Sequence, residues 1–530
     1  MRVLKCMLAA AWITVAAAGD LPAQRRPQAV APAQPVAVTV QAQPQVPRDI
    51  DAFAARVLRE FDTPGAAIAI VRDGRTVFGR GYGVRRLGTP EPVSERTRFQ
   101  VASNTKAFTS AALAILVEDG RLRWNDRVID YLPWFQMSDP YVTREITVLD
   151  LLVHRSGLGL GGGDLLWFHS DYTREELIRR LRYVPLATSF RSTYNYDNVL
   201  YVVAGAVVEA VSRRSWDDFV RERVFTPLGM TSSLTSVLAV RPGDDVAAPH
   251  GMVDGRLQIV PVDSADNVGP GGSIVSNVVD MAQWIRVQLD SGRVDSTRRL
   301  WRAPRTSELW TGRITTQPPR GSNLAMYALG WNVYDYRGYK IVTHTGGLAG
   351  MISRVMLIPQ LRTGFVILTN AESSAMGVLT SYLRDFYTGA PAADYVSQFK
   401  EGEAAFNEAA FQARLDSARN RTSRPSLPLS GYAGTYRDAW YGDVTLAEEQ
   451  GHLVIRFGRS PAFTGDLEHW HYDTFRVHWR VPNIPDAWAT FALEPDGAVE
   501  RMRMAAVSPS TDFSFDWQDL LLLPVRERRP

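Results

Sequence analysis

Ser103 and Lys106, in the run VASNTKAFTSAALAIL, set a hydroxyl and an amine three residues apart. The chain has only four lysines (Lys5, Lys106, Lys340 and Lys400) against 55 arginines, so a lysine at this place carries chemical content. A guanidinium stays protonated at any accessible pH, whereas a buried amine loses its proton and becomes a base. From Thr105 the run reads as an amphipathic helix with apolar positions Phe108, Ala111, Leu113, Ile115 and Leu116. Ser103 and Lys106 then share one face of its first turn, close enough to exchange a proton. A serine hydroxyl is a weak nucleophile until a base removes its proton. The pair is therefore a candidate nucleophile and base. An N-cap serine beside a solvated lysine has the same spelling, so the pattern needs partners.

Two other places offer them. Tyr196-Asp197-Asn198 lies where a turn enters an apolar helical run; a phenol and a carboxamide two residues apart face one cavity if the backbone there is a turn. His344-Thr345-Gly346-Gly347 follows the apolar pair Ile341-Val342. A histidine at a strand end is free to hydrogen-bond, and the glycines let the backbone come close to a ligand. The eight histidines include His469-Trp470-His471, but the chain has no H-E-x-x-H run, and the candidate chemistry calls for no metal and no cofactor.

These groups need a scaffold. Residues 48–60 have helical periodicity. Ala67–Val71 and Thr76–Tyr82 flank Asp73-Gly74, a strong hairpin signal. Gly120 ends the Ser103 helix, residues 147–154 form a short helix, and 196–210, 216–224 and 281–289 are further helical runs. Tyr339–His344, Ser353–Ile358 and Gly364–Thr369 read as three strands separated by Gly- and Pro-containing turns. Strands at both ends with a helical middle predict one α/β (α+β) domain, 48–390. Its N- and C-terminal parts share a mainly antiparallel sheet flanked by helices, with an all-helical region beside it. A polar helical linker, 391–428, leads to 429–525, where alternating apolar residues and repeated turns predict a small antiparallel barrel. Its strand candidates are 444–446, 452–457, 474–479, 489–493, 500–504 and 513–517. Trp470, Tyr472, Trp479 and Trp488 either fill that barrel or shape a substrate cleft.

Residues 1–24 read as a signal peptide: Arg2 and Lys5 precede a mostly apolar run, and Ala16-Ala17-Ala18 offers a cleavage site. The run is short for a membrane span, no lipidation box closes it, and an exported, periplasmic or secreted protein with no transmembrane anchor is expected. Cys6 is the only cysteine, so the processed chain has neither disulfides nor a thiolate nucleophile. Loss of Arg2 and Lys5 takes the formal charge from +3 to +1, or to +2 if Asp20 leaves too; that is no footprint for nucleic acid. Residues 25–47, rich in Pro, Ala and Gln, read as a flexible spacer.

The order Ser103/Lys106, Tyr196/Asn198, His344/Gly346 resembles that of the serine β-lactamase and penicillin-binding-protein-like hydrolases, nearest the class C β-lactamase-related esterase and peptidase branch. Leu151–Leu158 resembles the family's LLxHxSGL segment, Thr226–Thr231 its PLGMxxT turn and Pro270–Ser273 its PAGG segment. Gly434-Thr435-Tyr436 and Trp440–Val444 resemble the β-rich domain appended to many members. The resemblance implies a serine hydrolase working through an acyl-enzyme: Ser103 the nucleophile, Lys106 and Tyr196 the base and acid, Asn198 a positioning amide. It also implies an oxyanion hole from the backbone N–H groups of Ser103 and Gly347. Lys106 then needs a pKa well below about 10.4. His344 departs from the lysine that true class C β-lactamases carry there. A mostly neutral imidazole argues against an anionic β-lactam or peptidoglycan C-terminus and for a neutral ester, small amide or peptide. The alternatives are a β-lactamase or D,D-peptidase, a D-aminopeptidase, whose acidic partner for the substrate ammonium the sequence does not locate, and a non-catalytic ligand-binding protein. The oligomeric state stays open.

Overall fold

The run Gly65–Arg72 is apolar up to Val71 because the strand it forms, β1, is covered on both faces. Ala66, Ile68 and Ile70 pack with Ile50, Val57 and Leu379, whereas Ala67, Ala69 and Val71 join the core around Phe108 and Ile285. The first group brings helices α1 (Ile50–Glu60) and α5 (Ala375–Thr388) onto one face. The second brings α2 (Thr105–Glu118) and α4 (Val278–Leu289) onto the other; α3 (Val199–Ser212) packs on α2. The computed structural model describes residues 45–526, apart from 254 and 406. The predicted leader, 1–24, and the spacer up to residue 44 lie outside the described residues.

Asp73 and Gly74 both have positive φ (49° and 76°) and turn β1 into β2 (Arg75–Gly83), as the Asp-Gly pair predicts. The later strands are β3 (Ile314–Thr315), β4 (Ala325–Tyr327), β5 (Asn332–Tyr336), β6 (Tyr339–Leu348), β7 (Met351–Ile358) and β8 (Thr363–Thr369). They form an eight-stranded antiparallel sheet of order β2-β1-β8-β7-β6-β5-β4-β3. The N-terminal hairpin thus joins the C-terminal strands in one sheet, with the helices between. Helices α6 (Tyr395–Ala404) and α7 (Glu408–Ala418) then lead to a second sheet.

That sheet contains β9 (Gly434–Asp438), β10 (Gly442–Glu449), β11 (His452–Phe457), β12 (Ser460–His471), β13 (Thr474–Trp479), β14 (Ala487–Leu493), β15 (Val499–Ala506) and β16 (Leu523–Pro524). Their order is β15-β14-β13-β12-β11-β10-β9-β16. Met502 in β15 exchanges two backbone hydrogen bonds with Leu522, next to β16, so the sheet curls almost to closure. Among the described residues, no helix is long and apolar enough to cross a membrane.

Four expectations change. Helix α2 is not amphipathic: every residue from Thr105 to Leu116 is buried, because helices, sheet and loops surround it. Phe513–Trp517 is no strand but a loop ending in a 3₁₀ turn, and strand β12 was hidden by Pro461, Gly465 and Asp466, residue types disfavoured in strands. His344 does not end its strand, since β6 runs on through Gly347 to Leu348. The end of the spacer is packed: Pro47 is buried and Tyr387 donates to the Gln45 carbonyl.

Candidate active site

Ser103 sits in a 3₁₀ turn, Ala102–Asn104, just before α2. Ala102 has φ 46°, a left-handed conformation unusual for a residue with a Cβ. Contacts with β7 hold the turn: Ser353 Oγ donates to the Val101 carbonyl (2.7 Å) and Asn104 Nδ2 donates to Ser353 Oγ (2.7 Å). Strand β6 passes immediately beside it. A Cβ at Gly346 would lie 2.1 Å from Val101 O and 3.0 Å from Ser103 N. Gly346 therefore lets the strand approach the Ser103 turn, rather than a ligand.

Lys106 is fully buried. Its Nζ lies 3.1 Å from Ser103 Oγ, 2.6 Å from Asn198 Oδ1 and 2.9 Å from Gly271 O. Burial pushes its pKa down to about 7, against the opposing pull of the Asp164 and Asp197 carboxylates. Burial in turn raises both of those carboxylates to about 7. Nζ also lies 4.8 Å from the ring centre of Tyr196 and 5.2 Å from that of Tyr201.

The Tyr196-Asp197-Asn198 turn immediately precedes α3, as the sequence predicts. It is held by segment 154–161: Asp197 N–H donates to His154 Nδ1 (3.2 Å), and Gly161 N–H donates to the Tyr196 carbonyl (2.8 Å). Tyr196 is half-buried at the cavity wall, and the loss of solvation there raises its pKa well above 10, opposed by a hydrogen bond with Ser103. Asn198 Nδ2 donates to Asp164 (2.7 Å), so its Oδ1 turns toward Lys106.

His344 takes part in hydrogen bonding at both ring nitrogens. Nδ1 lies 2.6 Å from the Thr345 carbonyl and so donates; Nε2 accepts the Tyr327 hydroxyl at 2.8 Å. Burial, reinforced by Lys106, lowers its pKa to about 3. The imidazole is neutral throughout the ordinary pH range and offers a substrate no charge. Tyr327, Asp164, the Gly271 carbonyl and His154 were not singled out as site residues by sequence reasoning. The LLxHxSGL segment pointed near His154, and Pro270–Ser273 contained Gly271.

These groups border a cavity of about 380 Å³ lined by Ser103, Tyr196, Asn198, His344 and Gly347, all five predicted site residues other than the buried Lys106. Trp167 and Tyr194 add aromatic walls. The second domain also contributes to the wall, through Asp512, Phe513 and Ser514, with the Phe513 ring edge-on to Tyr196 at 5.6 Å. The tryptophans singled out in that domain pack elsewhere, Trp479 stacking on Trp517 and Trp470 against Trp488.

Residues 50–387 match the family described as Beta-lactamase, and the chain belongs to that family; residues 418–523 match a domain described as of unknown function, DUF3471. The unguisins hydrolase ungD of Aspergillus violaceofuscus is 29% identical over 493 residues, 85% of this chain and 86% of that protein. Penicillin-binding protein 4 of Amycolatopsis lactamdurans is 30% identical over 336 residues, 62% of this chain and 85% of its own. Among solved structures, the octameric penicillin-binding protein homologue from Pyrococcus abyssi superposes with a TM-score of 0.59 at 21% identity, covering 90% of this chain and 99% of that one. The protein thus has the hydrolase fold of the β-lactamase superfamily, with a near-barrel domain appended.

Proposed function

We propose that the protein is a serine hydrolase that cleaves an ester or small amide through an acyl-enzyme, with Ser103 as nucleophile. The observation that carries this reading is the hydrogen-bond arrangement at Lys106. A neutral amine has two N–H groups and one lone pair. Asn198 Oδ1 and Gly271 O accept the two N–H groups, which leaves the lone pair for the Ser103 hydroxyl 3.1 Å away. Ser103 Oγ bonds to the substrate carbonyl carbon while its proton passes to Lys106. The bond to the leaving group then breaks as that proton returns, through the Tyr196 hydroxyl, to the departing oxygen or nitrogen. Water repeats the sequence and releases the acid. Tyr196 suits the relay because the loss of solvation keeps it protonated. The backbone N–H groups of Ser103 and Gly347 are the proposed oxyanion donors.

Substrate class follows from charge. Among the residues lining the cavity there is no arginine and no lysine, in a chain with 55 arginines, and His344 is neutral. A substrate carboxylate has no cationic partner there, only neutral donors such as Asn332 and Thr345, which favours neutral acyl groups over anionic β-lactams. The unguisins hydrolases, similar along both domains, support hydrolysis as the reaction. A fluorophosphonate probe is expected to add one adduct to the intact wild-type mass and none to Ser103→Ala, and p-nitrophenyl butyrate should turn over faster than nitrocefin. Labelling unchanged in Ser103→Ala sinks the proposal.

The pH profile checks the base. Lys106 is active when unprotonated, so acylation should rise with pH through an inflection near 7 and fall about tenfold per pH unit below it. An inflection above 9 would mean that the amine is not buried as described.

Asp512, the one anionic side chain on the cavity wall, favours a second reading, a D-aminopeptidase-like enzyme whose substrate ammonium meets that carboxylate. Turnover of D-amino-acid amides that is lost in Asp512→Asn, with p-nitrophenyl butyrate unaffected, would establish it. The leader-like first 24 residues support export as the setting for either activity.

A further inference from the structure

Asp516 belongs to the loop between β15 and β16 of the appended domain, yet its carboxylate is spent on the other domain. It accepts the Gly163 N–H (2.7 Å) and the Leu165 N–H (3.1 Å), the backbone groups on either side of Asp164. Gly163 has φ 86°, and the 3₁₀ turn Asp164–Leu166 begins just after it. The loop is pressed close against this segment: a Cβ at Gly161 would lie 2.3 Å from Phe513 O. Asp164, fully buried, then accepts Asn198 Nδ2 at 2.7 Å, and Asn198 Oδ1 accepts Lys106 Nζ at 2.6 Å. Asp516 thus fixes the backbone on either side of Asp164, and hydrogen bonds from the Asp164 side chain lead on through Asn198 to the lysine.

The path resolves an ambiguity inherent in Asn198. A carboxamide has an acceptor end and a donor end of nearly the same shape. With the donor end bound by a carboxylate, only the acceptor end can meet Lys106. Turned over, the amide would present N–H to N–H, and the lone pair of the neutral amine would point at Asn198 instead of Ser103. We propose that Asp516 and Asp164 are positioning residues that hold the Asn198 amide in its productive orientation, which makes the appended domain part of the catalytic machinery. The inference rests on the serine-hydrolase reading and deepens it.

Asp516→Asn keeps the volume but sets an N–H group against one of the two backbone donors. It should lower kcat about tenfold to a hundredfold, the size of effect expected when a reacting group is misplaced, with KM for p-nitrophenyl butyrate within about threefold because the cavity wall is kept. Added to Asn198→Ala, it should cost nothing further, since both act on one amide. Additive losses, or wild-type kcat in Asp516→Asn with only a lowered melting temperature, overturn the proposal.

Asp164→Asn tests the inner half if Asp516→Asn does not fold. The ionisable groups facing Lys106 are Asp164, Asp197, His154, His344, Tyr196 and Tyr201. Of these, Asp164 and Asp197 supply the negative field that favours the protonated amine. Asp164→Asn should reduce kcat above pH 7, where the Asp164 carboxylate is charged, and move the upper part of the acid limb of kcat/KM, near pH 7, to lower pH; an unmoved limb with wild-type kcat overturns the proposal. A wild type that no probe labels at Ser103 removes the parent reading and this inference with it. Normal wild-type labelling with an unaltered Asp516→Asn removes this inference alone.

Discussion

Lys106→Arg is expected to lower the rate of Ser103 acylation by about 10²- to 10⁴-fold, the range that general-base assistance contributes. Approximate length is retained, but a permanent guanidinium charge replaces a buried amine that is neutral in its working form. A guanidinium has no lone pair to offer in a protein. It must also place five N–H donors in a pocket that presents Asn198 Oδ1, Gly271 O and Ser103 Oγ. Lys400→Arg is the control: Lys400 makes an exposed ion pair with Glu60, and its rate should stay within about a factor of two. Stopped-flow labelling with the fluorophosphonate probe measures both. Near-normal acylation in Lys106→Arg would require another base, and the role given to Tyr196 would have to change with it.

Gly346→Ala should be nearly as damaging, although it adds one methyl group and removes no functional group. The new Cβ would meet Val101 O at 2.1 Å, Ser353 Oγ at 2.5 Å and Ser103 N at 3.0 Å. Two of these three atoms are backbone, so the strand or the Ser103 turn must move. A displacement of about 1 Å at a reacting group costs on the order of 100-fold, and overpacking here should remove about 1–3 kcal/mol of stability. At Gly347→Ala the nearest atom would be Ile352 Cδ1 at 3.6 Å, an ordinary contact, and the backbone N–H survives. Its melting temperature should stay near that of the wild type. Equal activity in Gly346→Ala and wild type would show that the close approach of β6 to Ser103 is dispensable.

Much of this was legible without coordinates. Ser103 and Lys106 lie within one turn of chain, so their spacing puts them on one face, and Asn198 and Gly271 then hold the amine 3.1 Å from the hydroxyl. The Asp-Gly hairpin and the turn at Tyr196–Asn198 are likewise local, set by backbone preferences that a few residues decide. Binary pattern carried the sheet's main strands and the existence of a second β domain, because a covered strand must be apolar. It failed where burial is complete: the polar residues of α2, Thr105, Lys106, Thr109 and Ser110, face protein instead of solvent, and its depth, which lowers the pKa of Lys106, comes from everything packed around it.

Tertiary structure alone decided the rest. The firm neutrality of His344 comes from burial and from Lys106, and its tautomer from Tyr327 and the Thr345 carbonyl; a His-Thr-Gly-Gly run encodes neither the burial nor the reach of Lys106 and Tyr327. The Gly271 carbonyl reaches Lys106 across 165 positions, and Asp516 reaches Gly163 across 353. Such pairings arise from strand order and loop closure, to which a single sequence supplies no local signal. Residue types and short spacings therefore determined which atoms are able to react. Long-range packing determined which atoms they face, how far water is excluded from Lys106, and that a loop of the appended domain closes the cavity, because burial and hydrogen-bond direction are properties of the assembled chain.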